Sequence, residues 1–240
     1  MKKLKIGILI CDHINAALKE EFVSYPKMFD ELLSQLEGQF KIKYYFVVDN
    51  EFPQDINECD AYITSGSQYG ANDKLAWIEK LIKFIQDLYQ ANKCFIGICF
   101  GHQLIAKALG GKVEKSDKGW GVGIHSSQLK IKKSWMEKNV NDINLIVSHQ
   151  DQISQLPEST EVLSSNEFCP YSMIQVGKNF IGLQGHPEFT HKYSLALMEI
   201  RKDRIPSDVI SNGKLSLKMS TNSKEVTQGL INFVLRHSTK

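Results

Sequence analysis

Residues 94–109 constrain this chain more than any other stretch. Cys94-Phe95-Ile96-Gly97-Ile98 is a short apolar run of the kind buried in a parallel sheet. Gly101-His102-Gln103-Leu104-Ile105-Ala106-Lys107-Ala108-Leu109 has helical spacing and stops at Gly110-Gly111. Cys99 therefore sits in the turn between strand and helix, with a glycine two positions away on each side. The glycines let neighbouring backbones crowd against it. This is the cysteine counterpart of the strained Gly-x-Ser-x-Gly nucleophile elbow, and it points to covalent catalysis. A cysteine alone is more often a structural thiol in a core; the two glycines set this one apart.

The rest of the first half extends the same pattern. Ile6–Ile10 reads as a first strand. Pro26 opens a helix through Phe29, Leu32, Leu33 and Leu36 that closes at Gly38. Ile42–Val48 and Ala61–Thr64 read as strands, the latter ending at Ser65-Gly66-Ser67. Apolar residues at Leu75, Ile78, Leu81, Ile82, Ile85 and Leu88 mark a helix. Alternating strands and helices argue for an α/β, doubly wound, mostly parallel sheet with helices on both faces. The second half changes character. Short segments at Ile124–Ile131, Leu145–Ser148, Val162–Ser165, Met173–Val176 and Phe180–Gln184 read as antiparallel strands extending one edge of the sheet. The polar stretch near 205–221, with Pro206 and Gly213, reads as a loop or irregular insert. A last helix carries Val226, Leu230, Phe233 and Val234 on one face.

At 240 residues, one domain is the expectation. The net charge of +2 calls for neither nucleic acid nor an anionic membrane as partner. No apolar run has the length of a membrane span. Lys2 and Lys3 precede an apolar run, but Cys11-Asp12-His13 interrupts it too early for a signal peptide. Five scattered cysteines suit a reducing cytoplasm rather than a disulfide framework. Cys59, Cys94 and Cys169 lack metal-ligand spacing. Cys11 and His13 make a second Cys/His pair, but no glycine elbow supports it, and core or loop is the reading there.

A cysteine nucleophile needs a base, and the base needs an orienting group. Among seven histidines, His102 lies on the helix after Cys99 and points away from the turn. His186 is better placed, in Gln184-Gly185-His186-Pro187-Glu188-Phe189 at the end of an apolar strand. Pro187 biases His186 towards an extended conformation, and in an extended chain residues i and i+2 project to the same side. Glu188 can then reach the imidazole and hold its tautomer. A Cys99-His186-Glu188 triad follows, in that chain order. Amides at the start of the helix favour a thiolate at Cys99. Backbone amides of the Ser65-Gly66-Ser67 turn and of Phe100 are candidates for an oxyanion hole, although Gly66 also reads simply as a turn glycine. Trp120, between Gly119 and Gly121, lines a pocket or packs on one.

These residues resemble the class I glutamine amidotransferase signature: Gly97-Ile98-Cys99-Phe100-Gly101-His102-Gln103 with a distant His186-Pro187-Glu188. The resemblance runs from the first strand to about Arg204. It is similar to stand-alone members related to the glutaminase domain of GMP synthase, including γ-glutamyl peptidases. Ser148-His149-Gln150-Asp151-Gln152 and Glu167-Phe168-Cys169-Pro170 resemble the same subgroup. The resemblance implies a flavodoxin-like fold and cleavage of a γ-glutamyl amide. By position, it makes Cys99 the nucleophile, His186 the base and Glu188 the orienting acid, with Gly66 and Phe100 as oxyanion donors. It assigns Gln103, and the backbone near His149 and Gln150, to the α-amino acid end of the glutamyl group. On the residues alone, Gln103 equally reads as a helix residue bonding backbone, and His149 and Gln150 as surface loop.

The implied chemistry needs no metal or organic cofactor. Three functions stay open: a self-contained hydrolase of glutamine or γ-glutamyl compounds, a glutaminase subunit supplying ammonia to a separate synthetase such as GMP synthase, and a catalytically silent binding module. In two-domain relatives a synthetase is fused to the glutaminase; here only a polar segment and one helix follow the matched region.

Overall fold

The computed structural model describes residues 3–36 and 40–238. Its main sheet has nine strands in the order β2-β1-β3-β4-β11-β10-β9-β6-β7. The first five are β2 (Phe40–Tyr45), β1 (Leu4–Leu9), β3 (Ala61–Thr64), β4 (Cys94–Ile98) and β11 (Phe180–Leu183), all parallel. Their order reproduces the 2-1-3-4-5 arrangement of flavodoxin-like folds. The other four, β10 (Met173–Val176), β9 (Thr160–Ser165), β6 (Gly121–Leu129) and β7 (Asp142–His149), continue the sheet antiparallel. A separate two-stranded sheet pairs β5 (Lys112–Lys115) with β8 (Asp151–Gln155).

Successive residues of a strand face opposite sides, and both sides of this sheet are apolar. Ile6, Ile8, Ile96 and Ile98 face α2 (Tyr25–Leu33), α5 (His191–Ile200) and α7 (Ser223–Ser238). Leu9, Tyr62 and Phe95 face α3 (Ala76–Gln90) and α4 (Phe100–Ala108). In the C-terminal helix Val226, Leu230, Phe233 and Val234 are all buried, as their spacing predicts. Ser24 caps α2, its hydroxyl accepting from Lys27 N at 3.3 Å, with Pro26 in the first turn. The expected stop at Gly38 lies outside the described residues. A short 3₁₀ turn at Ala16–Leu18 runs into a single helical turn, α1 (Lys19–Phe22).

Three expectations need correction. Phe180–Leu183 is not part of the antiparallel extension: it lies parallel to β4, with Gly182 opposite Gly97 and Leu183 opposite Ile98. An apolar run carries no information about its neighbours' direction, and β11 pairs parallel on one side and antiparallel on the other. The second strand is Phe40–Tyr45 rather than Ile42–Val48, because Val47–Asp49 turns as a 3₁₀ segment. The polar stretch near 205–221 contains a helix, α6 (Ser207–Ser216). Its stability comes from docking on β6. A Cβ on Gly213 would meet Val122 Cγ2 at 2.7 Å, and Ser216 Oγ accepts from Ile124 N at 2.8 Å. Glycine is a poor helix former, so its use here as a close-contact point hides the helix from local pattern.

Candidate active site

Ligands of open α/β sheets bind outside the carboxyl ends of the strands, near the point where strand order reverses. The residues singled out in the sequence gather there. Cys99 follows β4, Ser65-Gly66 follows β3, and His186 follows β11. Cys99 N donates to Leu183 O at 2.7 Å, tying the elbow to the strand that delivers His186.

The elbow is strained and tightly packed. Cys99 has φ 48° and ψ −94°, an unusual conformation for a residue with a side chain. Such conformations cost about 1–3 kcal/mol and persist only where the surroundings enforce them. Both flanking glycines are required by space. A Cβ on Gly97 would lie 2.4 Å from the Gly101 carbonyl carbon, and one on Gly101 would lie 1.7 Å from Thr64 Oγ1. The helix start is therefore pressed onto β3 and β4. Phe100 is its first residue, and N–H groups there have no partner within the helix.

His186 and Glu188 are both buried, with His186 Nδ1 2.8 Å from Glu188 Oε1. A carboxylate only accepts, so Nδ1 carries the proton in this bond and Nε2 is left for the Cys99 side. The ring lies between two neighbours. Phe189 stacks on it with centroids 3.8 Å apart and planes 6° from parallel. Gly66 packs at its edge, where a Cβ would come within 2.5 Å of Cε1. The backbone is anchored by His186 N donating to Ile146 O at 2.8 Å. Burial pulls the proton affinity of His186 down, but Glu188 and then Cys99 outweigh it and hold its pKa above the ordinary histidine value. Behind Glu188, the hydrogen-bonded hydroxyls of Tyr25 and Tyr193 feel the charges of Asp12 and Glu188, and burial pushes both phenols up.

A cleft of about 250 Å³ opens over Cys99 and Phe100. Gln103, His149 and Gln150 line it, as does Trp120. Gln103 donates from Nε2 to Asp151 O at 2.9 Å and to Gln184 Oε1 at 3.4 Å. His149 Nδ1 shares the same carbonyl at 3.1 Å, and burial lowers its pKa to about 3. The Gln150 carbonyl is taken by Ser116 N at 2.9 Å. His102 is fully buried against Gly182, away from the cleft, and burial lowers its pKa to about 3. Cys11 is buried in the core with its thiol pushed up by burial, whereas His13 pairs with Asp49 at the surface. All five cysteines are unbridged. Among the described residues no group of three or more His, Cys, Asp or Glu side chains is arranged to hold a metal ion, and no helix is long and apolar enough to cross a membrane.

Sequence reasoning missed two residues of this region. Gln184 is buried and donates from Nε2 to Cys99 Sγ at 3.4 Å. It is adjacent to the Gly185-His186 pair and passes for a strand residue. Asp12 is buried and holds the turn that carries Gly66, accepting from Gln68 N at 2.7 Å and Gln68 Nε2 at 2.8 Å. Its position between Cys11 and His13 was its one local signal.

Comparison with known proteins gives the family and the fold. The family model for class-I glutamine amidotransferases matches residues 23–199. The chain is 29% identical over 206 residues to γ-glutamyl peptidase 3 of Arabidopsis thaliana, covering 82% of this chain and 81% of that one. It is 35% identical over 112 residues to a glutamine-hydrolysing GMP synthase of Chromobacterium violaceum, a match to 43% of this chain and 21% of that protein. Among solved structures, a glutamine amidotransferase from Thermotoga maritima superposes with a TM-score of 0.76 over 100% of both chains at 19% identity, a likeness of fold.

Proposed function

Because the chain belongs to the class-I glutamine amidotransferase family, we propose that it hydrolyses γ-glutamyl amides through a Cys99-His186-Glu188 triad. One observation carries the reading: a strained cysteine at a helix start lies under an open cleft, electrostatically coupled to a buried imidazole that a carboxylate orients at 2.8 Å. The Cys99 thiolate attacks the γ-carbonyl carbon and forms a C–S bond. The oxyanion rests on the amides of Gly66 and Phe100; a donor of this kind is typically worth about 10²–10³ in rate. His186 protonates the leaving nitrogen as the C–N bond breaks, leaving a γ-glutamyl thioester. Water then gives a proton to His186 and its oxygen to the acyl carbon, releasing glutamate and restoring the thiolate. Glu188 stabilises the imidazolium throughout without taking its proton. Gln103 and the segment at His149 and Gln150 shape the pocket for the glutamyl head.

Likeness to γ-glutamyl peptidase 3 over most of both chains supports a peptide or related γ-glutamyl compound as substrate. Likeness to part of a GMP synthase supports a second reading, delivery of ammonia from glutamine to a separate synthetase. Free cysteines fit a reducing, cytoplasmic setting. The test is release of ammonia from glutamine and of amine from γ-glutamyl dipeptides by the purified chain. Turnover of dipeptides by the chain alone favours the hydrolase; glutamine turnover only with an added synthetase favours the second reading. Cys99→Ala should abolish both activities with an unchanged melting temperature. Activity surviving in that variant would sink the proposal.

A further inference from the structure

The cleft over Cys99 does not end at the glutamyl-sized hollow. A second hollow of about 480 Å³ adjoins it, and Lys115, Trp120, Gln150 and Arg204 line both. The two halves differ in charge. In the half containing Cys99, Asp73 and Asp151 stand among the cations Lys115, Arg201 and Arg204 and offset most of their charge. The second half has Lys115, Lys118 and Arg204 and no carboxylate in its lining. Among the described residues, none of these three cations forms an ion pair with a carboxylate within 4 Å. The guanidinium of Arg204 lies 5.6 Å from the Trp120 ring centroid, and Lys118 Nζ donates to the Glu167 carbonyl. Pro206 and Val209, at the start of α6, give the hollow an apolar wall.

Ammonia leaving from glutamine has no use for a space of this size, charge and polarity. We infer that the second hollow is the leaving-group subsite, built for an amine that carries a carboxylate beside an apolar side chain. The substrate class is then a γ-glutamyl peptide with a free C-terminal carboxylate. The inference rests on γ-glutamyl cleavage at Cys99, and it sharpens that reading by naming what departs. The glutamyl head sits over Cys99, and the C–N bond breaks at the junction of the two hollows. The departing peptide takes its proton from His186 and leaves its carboxylate against Lys118 and Arg204. Trp120 stands between the halves, with Arg204 stacked on it and its ring available to the apolar side chain.

The test compares γ-glutamyl-leucyl-glycine with its C-terminal amide, in the wild-type chain and in Lys118→Met/Arg204→Met. Both side chains are exposed, and a thermal melt checks folding of the variant. A hydrogen-bonded charge is typically worth about ten- to a hundredfold. The wild type should prefer the acid over the amide by at least about tenfold in kcat/KM. The preference should shrink as salt is raised and collapse towards unity in the double variant. The ratio is internal to each protein, so a general loss of activity leaves it unmoved. Calorimetry of leucyl-glycine and its amide on Cys99→Ala should show the same preference without any chemistry. Equal cleavage of acid and amide by the wild type, or a preference retained in the double variant, overturns the subsite and leaves γ-glutamyl hydrolysis standing. Cleavage of glutamine but of neither peptide also overturns it. Failure to cleave any γ-glutamyl compound overturns the underlying reading, and the inference with it.

Discussion

Gly101 is the tightest point of the elbow, and replacing it with alanine tests how the cysteine is held. The added Cβ would stand 1.7 Å from Thr64 Oγ1, 2.9 Å from Thr64 Cβ and 3.2 Å from Thr64 Cγ2. Carbon contacts are comfortable at about 3.5–4.0 Å. Thr64 has little freedom to yield. It is fully buried, its branched side chain is stiff about χ1, and its Oγ1 accepts from Ile98 N at 3.2 Å. Overpacking of this kind costs about 1–3 kcal/mol or more, against which alanine returns up to about 1 kcal/mol of helix propensity. Gly101→Ala should therefore lose about 2 kcal/mol and, because Cys99 and Phe100 shift with the helix start, about 10²-fold in kcat. Thr64→Ala alone removes the Oγ1 bond to the Ile98 amide, which keeps its place in the β3–β4 ladder, at a cost of about 0.5–1.5 kcal/mol. Combined, the two changes remove the closest contact and leave only the 2.9 Å Cβ pair, which a shift of a few tenths of an ångström relieves. The double variant should be more stable than the sum of the singles by about 1–2 kcal/mol and regain part of the lost activity. Urea denaturation of the four proteins, with kcat measured on each, reads both quantities. Additivity within about 0.5 kcal/mol, or a Gly101→Ala protein as stable as the wild type, would refute the steric account of the elbow.

Two further expectations concern protonation. Glu188→Gln removes the chief force raising the proton affinity of buried His186, so kcat should fall by about 10²–10⁴ and the alkaline limb of the kcat/KM profile should move to lower pH; an unmoved limb would contradict the His186-Glu188 coupling. His102 has a pKa of about 3 in the fold against about 6.5 when unfolded. Its contribution to stability is present above pH 6.5 and is lost as pH falls towards 3, because the unfolded chain binds the extra proton, at up to about 1.4 kcal/mol per pH unit. Thermal melts from pH 7 to pH 5 should fall more steeply for the wild type than for His102→Leu, and parallel curves would show that His102 is not held neutral.

The triad candidates were legible in sequence because each carries a local signature. A glycine on either side of Cys99 announces a turn where backbones crowd, and the structure adds which atoms do the crowding: Gly101 under Gly97, Thr64 under Gly101. Pro187 between His186 and Glu188 announces an extended pair on one side, and the side chains meet at 2.8 Å. Alternating strands and helices, with helical stripes such as Ile78, Leu81 and Ile85, were enough for a doubly wound sheet. Helix α6 was illegible for the opposite reason: its stabilising contacts lie on β6, and Gly213 favours that packing at the expense of local propensity.

What the sequence determined by itself is the set of candidates for the proposed chemistry, since a nucleophile, base and orienting acid need particular residue types at particular local spacings. Tertiary structure alone decided everything set by long-range pairing. It put β11 parallel beside β4, which brings His186 to Cys99 across 87 residues of chain. It placed Gln184 on the sulfur and Asp12 under the Gly66 turn. It also brought Arg204 up to Lys115, Lys118 and Trp120, which are near neighbours in sequence. A side chain's own neighbours in sequence can bias its backbone, but the contents of a cleft depend on which strands pair and which faces the helices cover.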